Sequence, residues 1–574
     1  MNYNYIDAVA TSDELTVWCR DKDGELIVET HPISKYLYCY QLDNSGNPDA
    51  KDLFGRPLKR MNFEDRWTFN KFVDSRQSLY ESDVSPTYKC LIDTYAAAPL
   101  DAPYNVFLYD IEVFFDLNDG NGYPSPQNPY GYINSFQAFD TKRQEYLILK
   151  LDEAKVKVTD KYGEYPVVTI SCRDERELLE TLADMLEERD VDIMAGWYTN
   201  GFDLPYIMER AIMEFGEKDA LRMFCRDGFK AKKREFINDN AEERVEWTLV
   251  GRQHLDMLEL YKKFIPSEKT SFSLSAVCTE DLGIDKVDYE GDLGELYREN
   301  PDLFFEYGIH DARLLLYLDR KHQIIRLAVT LSRMNSVFAR DVVGSVKPIE
   351  MGFLKFCHSR GVVLADKTGS EKEKFEGAIV YDTISGLHKW GFTVDLTALY
   401  PSAMMMLGLS TETMVGQLNG GYKDYIAVMT KKDTMVILDQ IIDGEVTDHI
   451  ECNASALYDI IIENGWCISA NGTLFSGEFG LLSVYVKDRF DTRKMYQRMK
   501  KEAEERGDED EANINNLYQS VMKIICNSLY GCISNAHFRL YDIRLAKSIT
   551  LTGQVISKFQ AYKANSYVEA LAND

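Results

Sequence analysis

Val106-Phe107-Leu108-Tyr109-Asp110-Ile111-Glu112-Val113 reads as a buried β-strand that carries two carboxylates. Side chains alternate between the two faces of a strand, so Asp110 and Glu112 point the same way, beside Val106 and Leu108. Two neighbouring carboxylates in an apolar core are costly unless a cation neutralises them. The D-x-E triplet also occurs at Asp23/Glu25, Asp288/Glu290 and Asp443/Glu445, in polar or turn contexts, where it needs no function. Of these, the triplet at Asp110 is the one embedded in an apolar strand.

Outward from this strand the pattern is α/β from 104 onward. Residues 175–189, 205–215 and 304–322 are helical, and strands alternating with helices predict a sheet covered on both faces. Before it, β-type runs at 15–18 and 36–40 give a small mixed domain. Residues 234–251 resemble a hairpin with a polar tip at Asn238-Asp239-Asn240. Helices follow at 324–360, and a β-type segment opens near 377 and includes Gly391-Phe392-Thr393-Val394-Asp395. Two helical patterns over 481–533 flank the polar turn Glu505-Arg506-Gly507-Asp508-Glu509-Asp510, and a further helix covers 544–572.

Three short motifs supply candidate chemistry. Besides Asp110 and Glu112, Gly201-Phe202-Asp203-Leu204-Pro205 places Asp203 at a helix start, where an N-cap is the plain alternative. Tyr307 and Asp311 lie i, i+4 on one apolar helix, and a partly buried polar pair is the plain alternative there. Together the four carboxylates suffice to hold two divalent cations about 4 Å apart, a pair that activates water against a phosphodiester. Tyr307 is then placed to orient that water.

A second constellation lies downstream. Asp395-Leu396-Thr397-Ala398-Leu399-Tyr400-Pro401-Ser402 puts an Asp at a strand end, either as a metal ligand or as a cap for the next helix. Lys523, Asn527 and Tyr530 share one helical stripe. Residues 487–501 hold seven basic and two acidic side chains, whereas the whole chain carries −28. With the hairpin turn at Asp508, Arg493 should face Lys523 and Arg489 should face Asn527 across antiparallel helices. Cations so placed make a triphosphate cradle, and a solvated basic face is the alternative for Lys500 and Lys501.

These motifs, in this order, resemble family B DNA polymerases of the T-even-type bacteriophage kind. The resemblance includes Gly196-Trp197, Leu260-Tyr261-Lys262-Lys263-Phe264 and His537-Phe538-Arg539-Leu540-Tyr541-Asp542-Ile543-Arg544, and is strongest from about 100 onward. It implies a multidomain α/β and α+β architecture: a mixed N-terminal domain at 1–103 with 327–370 packing on it, and a ribonuclease-H-like 3′–5′ exonuclease domain at 104–326. The first part of a palm follows at 371–480, helical-hairpin fingers at 481–535, and a palm continuation at 536–574. It implies that Asp110, Glu112, Asp203 and Asp311 bind Mg²⁺ or Mn²⁺ in a two-metal site, with Tyr307 orienting water. It further implies that Asp395 binds the polymerase metals, that Tyr400 stacks under the incoming sugar, that Arg493 and Lys523 hold the triphosphate, and that Asn527 and Tyr530 line the nucleotide pocket. Three positions depart from the family: Tyr198 stands where Asn is usual, with Asn200 as the nearby substitute, Ala398 replaces Ser, and Gln497 replaces a basic residue.

Composition sets the remaining expectations. Hydrophobic residues make up 45% and aromatics 12%, which excludes a disordered chain. The 11 cysteines are scattered without a CxxC pair, arguing against a disulfide scaffold and structural zinc. No secretory leader is legible and no apolar run approaches the roughly 18–20 residues of a membrane span; the resemblance implies the cytoplasm of an infected bacterial host, without membrane. The expected partners are primer-template and single-stranded DNA and dNTP. The family's third palm motif, Tyr-x-Asp-Thr-Asp-Ser, does not occur in this sequence. The chain is therefore expected to be one subunit of a split polymerase, completed by a second polypeptide with that motif and a thumb, and reaching a sliding clamp through it. A stand-alone exonuclease, a non-catalytic scaffold and a piece of a longer polymerase are the alternatives.

Overall fold

The computed structural model describes residues 3–97, 103–115, 122–151, 161–237, 243–265, 268–284, 287, 291–369, 373, 377–382, 385–387 and 394–573. The chain divides into two compact units, Met1–Tyr36 with Pro86–Val343, and Leu37–Ser85 with Gly344–Asp574.

The first unit is built on a mixed seven-stranded sheet. Its strands are β1 (Val106–Val113), β2 (Ile133–Asp140), β3 (Glu145–Leu151), β4 (Lys161–Tyr162), β5 (Tyr165–Cys172), β6 (Ile193–Gly196) and, beyond a separate hairpin of β7 (Lys232–Ile237) and β8 (Glu243–Thr248), β9 (Gln253–Asp256). The spatial order is β4-β5-β3-β2-β1-β6-β9. β1 pairs antiparallel with β2 and parallel with β6, so it lies inside the sheet, and all but one of its residues are buried, as its unbroken apolar run requires. Its register sets Asp110 opposite Gln137. Helix α1 (Asp203–Phe215) follows β6, and α2 (Pro301–His322) starts at an Asn300 cap with Pro301 in its first turn and stops where Gln323 turns left-handed.

The expected 1–103 domain is not one compact unit. Its three-stranded sheet, Asn4–Ala10, Glu14–Arg20 and Leu26–Pro32, belongs with the seven-stranded sheet, because buried Arg20 pairs with Asp190 and Asp192, which Arg226 also grips. Removing one partner of such a buried cluster costs about 3–5 kcal/mol, enough to override sequence proximity. Residues 37–85 instead belong to the second unit, where Val363 N–H donates to Lys51 and Arg539 pairs with Asp83 and Glu350. Segment 327–370 is shared likewise: Tyr5 donates to Val337 in the first unit, and Lys51 bridges Val362 in the second.

The second unit carries an antiparallel five-stranded sheet, β12-β11-β10-β14-β13, formed by β10 (Met414–Leu418), β11 (Met435–Ile442), β12 (Glu445–Asn453), β13 (Cys467–Ile468) and β14 (Thr473–Phe475). Its helices are α3 (Leu399–Leu407), α4 (Leu481–Arg506), α5 (Glu509–Ile533) and α6 (Ile543–Asn573). α4 and α5 form the expected helical hairpin, turned by left-handed Gly507 and capped by Asp508. The strand expected before Asp395 and the hairpin tip at Asn238-Asp239-Asn240 lie outside the described residues.

Candidate functional site

Asp110, Glu112 and Asp311 converge, each offering a carboxylate oxygen within 4.8 Å of the others. β1 supplies the first two from one face and α2 supplies the third. Glu112, Asp203, Tyr307 and Asp311 are buried and Asp110 is half-buried. Tyr307 precedes Asp311 by one turn on the same helix.

Asp203 does not cap α1. The cap position is Phe202, without a side-chain hydrogen bond, and Asp203 instead accepts from the backbone N–H of Ile111 at 3.3 Å. That bond ties it to the strand segment between Asp110 and Glu112. Burial, with the Asp110 charge next to it, pushes its carboxyl well above the usual range. Hard carboxylate oxygens gathered this closely fit Mg²⁺ or Mn²⁺.

Gln137 was not legible as a site residue, yet its Nε2 donates to Asp110 at 3.3 Å and its Oε1 accepts from Ser135 at 3.1 Å. Gly308 makes room for it: a Cβ there would stand 2.9 Å from Gln137 Cδ. Such outer partners orient metal ligands, and losing one typically weakens metal affinity about 10–100-fold. Gln137→Ala and Gly308→Ala should each weaken Mn²⁺ binding by about that factor, read from a metal titration of the purified protein.

The opposite face of β1 is locked by His254. Its Nε2 lies 2.9 Å from the Tyr109 hydroxyl and 3.2 Å from Thr199 Oγ1, and its Nδ1 lies 3.1 Å from Asn200 Oδ1. Asn200 Nδ2 donates to Glu259 at 3.0 Å, so the amide expected to substitute at Tyr198 is engaged at both ends. Complete burial pushes the His254 imidazole down to about 3. The folded protein thus refuses a proton that the unfolded chain accepts near pH 6.5, and stability is lost as pH falls through that range. This imidazole should cost about 2 kcal/mol between pH 7.5 and 5. Denaturant melts of the parent and His254→Gln should show the variant's pH profile flatter by that amount.

In the second unit, Asp395 is exposed and does not cap α3; Ala398, in the left-handed region, occupies the cap position. Tyr400 packs against Tyr530, ring centroids 4.6 Å apart, and Gly553 of α6 lies beneath Tyr400, where a Cβ would stand 3.1 Å from Cε1. Lys523 and Asn527 are exposed on α5. Lys500 Nζ donates to Asn516 Oδ1 at 3.2 Å, in the register expected for a turn at Asp508, and Arg493 Nε reaches Gln519 Oε1 on the facing helix at 3.5 Å.

Two family models match: DNA polymerase family B, exonuclease domain, over residues 72–277, and DNA polymerase family B over residues 342–572. The chain is 27% identical over 507 residues to a DNA-directed DNA polymerase of Enterobacteria phage T4, covering 82% of this chain and 54% of that protein. A DNA-directed DNA polymerase of Escherichia phage RB69 is 22% identical, covering 90% of this chain and 62% of that one. The chain thus spans little more than half the length of these relatives. The solved family B DNA polymerase of the archaeon Pyrobaculum calidifontis shares the fold, with a TM-score of 0.70 at 18% identity over 99% of this chain and 72% of that one. With models of one family matching over residues 72–277 and again over 342–572, together more than half of the chain, the chain belongs to DNA polymerase family B.

Proposed function

We propose that the first unit is a 3′–5′ exonuclease acting on single-stranded DNA, and that α3, α5 and α4 bind dNTP for DNA synthesis on a primer-template. The observation that carries the first part is the convergence of Asp110, Glu112 and Asp311, with Asp203 bound to the intervening strand. Asp110, Glu112, Asp203 and Asp311 would hold Mg²⁺ or Mn²⁺, which when bound supplies an activated water and charge neutralisation at the phosphodiester. Tyr307 orients the attacking water, and Gln137 holds Asp110 in place. Intact carboxylates favour this reading over a non-catalytic scaffold.

For synthesis, Asp395 contributes a metal ligand, Tyr400 supports the sugar, Arg493 and Lys523 hold the triphosphate, and Asn527 and Tyr530 line the pocket. A single carboxylate does not hold two Mg²⁺ against a triphosphate, so further ligands are required. A second polypeptide carrying Tyr-x-Asp-Thr-Asp-Ser and a thumb would supply them, and a sliding clamp would be reached through it. The same ligands within a longer form of the chain are the second reading. The protein would act in the cytoplasm of the infected host. Among the described residues no helix is long and apolar enough to cross a membrane.

The first part is tested with 5′-labelled single-stranded DNA and Mg²⁺. A ladder shortening from the 3′ end is expected; intact DNA under these conditions would leave the exonuclease reading without support.

A further inference from the structure

Tyr198 sits in the turn between β6 and α1, two residues past Gly196 at the end of the strand and directly before the segment that delivers Asp203. Its φ is +61°, in the left-handed region that an aromatic residue rarely adopts. The turn over-determines it: the Tyr198 carbonyl accepts from Gly201 N–H at 2.9 Å and Phe202 N–H at 3.2 Å. Two residues on, the Asn200 backbone N–H donates to Asp256 Oδ2 at 3.0 Å.

Gly201 lies under the ring. A Cβ on Gly201 would stand 2.3 Å from Tyr198 Cζ and 2.6 Å from both Cε1 and Cε2. Equal distances to the two Cε atoms, barely longer than that to Cζ, put the glycine over the flat of the ring and not at its edge. One face of the ring therefore rests on backbone and the other is turned outward, and the residue remains 48% exposed. Its neighbour Trp197 is anchored instead, with Nε1 donating to the Phe272 carbonyl at 3.0 Å.

A cation stands beside the ring. Arg244 Nη1, from β8, lies 3.5 Å from the Tyr198 hydroxyl. Arg244 also lines a cleft of about 710 Å³ between the β7–β8 hairpin and α1, together with Phe236, Lys233, Gln127, Pro205 and Glu209. An outward aromatic face, a guanidinium at its edge and a cleft leading away meet at one place. Among the described residues this strained, glycine-floored ring is absent from the core around it, and strain of this kind clusters at ligand sites.

We propose that Tyr198 is a base-stacking shelf for a single DNA strand whose 3′ end enters the carboxylate centre, with Arg244 at the adjoining phosphate and the strand leaving along the cleft. Every base offers a π-face, so such a shelf takes any sequence, as proofreading of an arbitrary 3′ end demands. The inference rests on the exonuclease reading for its substrate, and the two are separable by experiment.

The test uses the full chain and an oligodeoxynucleotide with 2-aminopurine at its 3′-terminal or penultimate position. Binding is followed in the Asp110→Ala/Glu112→Ala background, so that the strand is not consumed. Stacking on Tyr198 should quench the fluorophore, and Tyr198→Ala should abolish the quench and weaken binding about tenfold. In the chain with its carboxylates intact, Tyr198→Ala should raise KM for single-stranded DNA about tenfold while kcat changes less than threefold, and Tyr198→Phe, which keeps the ring, should restore KM. Because a turn variant can disturb Asp203, Arg244→Ala serves as a second probe: it should raise KM and reduce the salt dependence of binding with the fold of the turn intact. An unchanged quench and unchanged KM in Tyr198→Ala overturns the shelf. So does a loss confined to kcat, which marks a structural role. Digestion by the parent chain decides the exonuclease reading on its own; the quench decides the shelf.

Discussion

The Asp110→Ala/Glu112→Ala chain should digest single-stranded DNA at least about a thousandfold more slowly than the parent, with the overall fold retained. These two residues and Asp311 form the one trio of carboxylates found within reach of a common ion among the described residues. Removing two of the four proposed ligands leaves Asp311 and Asp203, too few hard oxygens to hold a metal pair. A metal contributes several kcal/mol of charge stabilisation, and each 1.4 kcal/mol is about tenfold in rate. The loss should therefore appear in kcat and not be recovered by raising Mn²⁺. Folding provides the control. In the metal-free protein the Asp110 charge helps drive the Asp203 carboxyl upward, which marks repulsion inside the core. Deleting that repulsion should leave the melting temperature in EDTA equal to or above the parent's. Mg²⁺ should raise the melting temperature of the parent and not that of the variant. Digestion by the variant within tenfold of the parent would place the nuclease elsewhere in the chain.

Much of this centre was legible because its signals are local. β1 is an unbroken apolar run and α2 a strongly apolar helix, so patterning finds both, although α2 starts at Pro301, three residues ahead of the 304 read from the sequence. What was not legible depends on residues brought together from afar. Gln137 becomes a site residue through its register opposite Asp110, and nothing near position 137 marks it. Asp203 resembles a cap in sequence, but the Ile111 N–H, 92 residues away, competes for it and wins, since a buried donor left unpaired is costly. Arg20 and Asp192, 172 residues apart, draw the first strands into the first unit and divide the expected N-terminal domain.

The second large effect concerns synthesis. The chain by itself should not extend a primer, and extension should appear when a polypeptide carrying Tyr-x-Asp-Thr-Asp-Ser and a thumb is added. In the proposed reading Asp395 is a single metal ligand, and it is exposed. α6 offers the contact. Val555 and Ile556 are half-buried, whereas Phe559 and Tyr562, further along the same helix, are 60% and 67% exposed. Apolar rings left in water on a long helix favour coverage, each fully buried ring contributing about 2 kcal/mol. Phe559→Asp with Tyr562→Asp should therefore weaken the reconstituted complex by at least about tenfold, measured as the concentration of added polypeptide that gives half-maximal extension, while leaving nuclease activity unchanged. In the complex, Asp395→Ala should stop extension by at least about a thousandfold and spare digestion, because the nuclease carboxylates belong to the other compact unit. Extension by the purified chain alone, absent from an Asp395→Ala preparation made in parallel, would require a second metal-binding carboxylate within residues 394–573 and would remove the need for any added polypeptide.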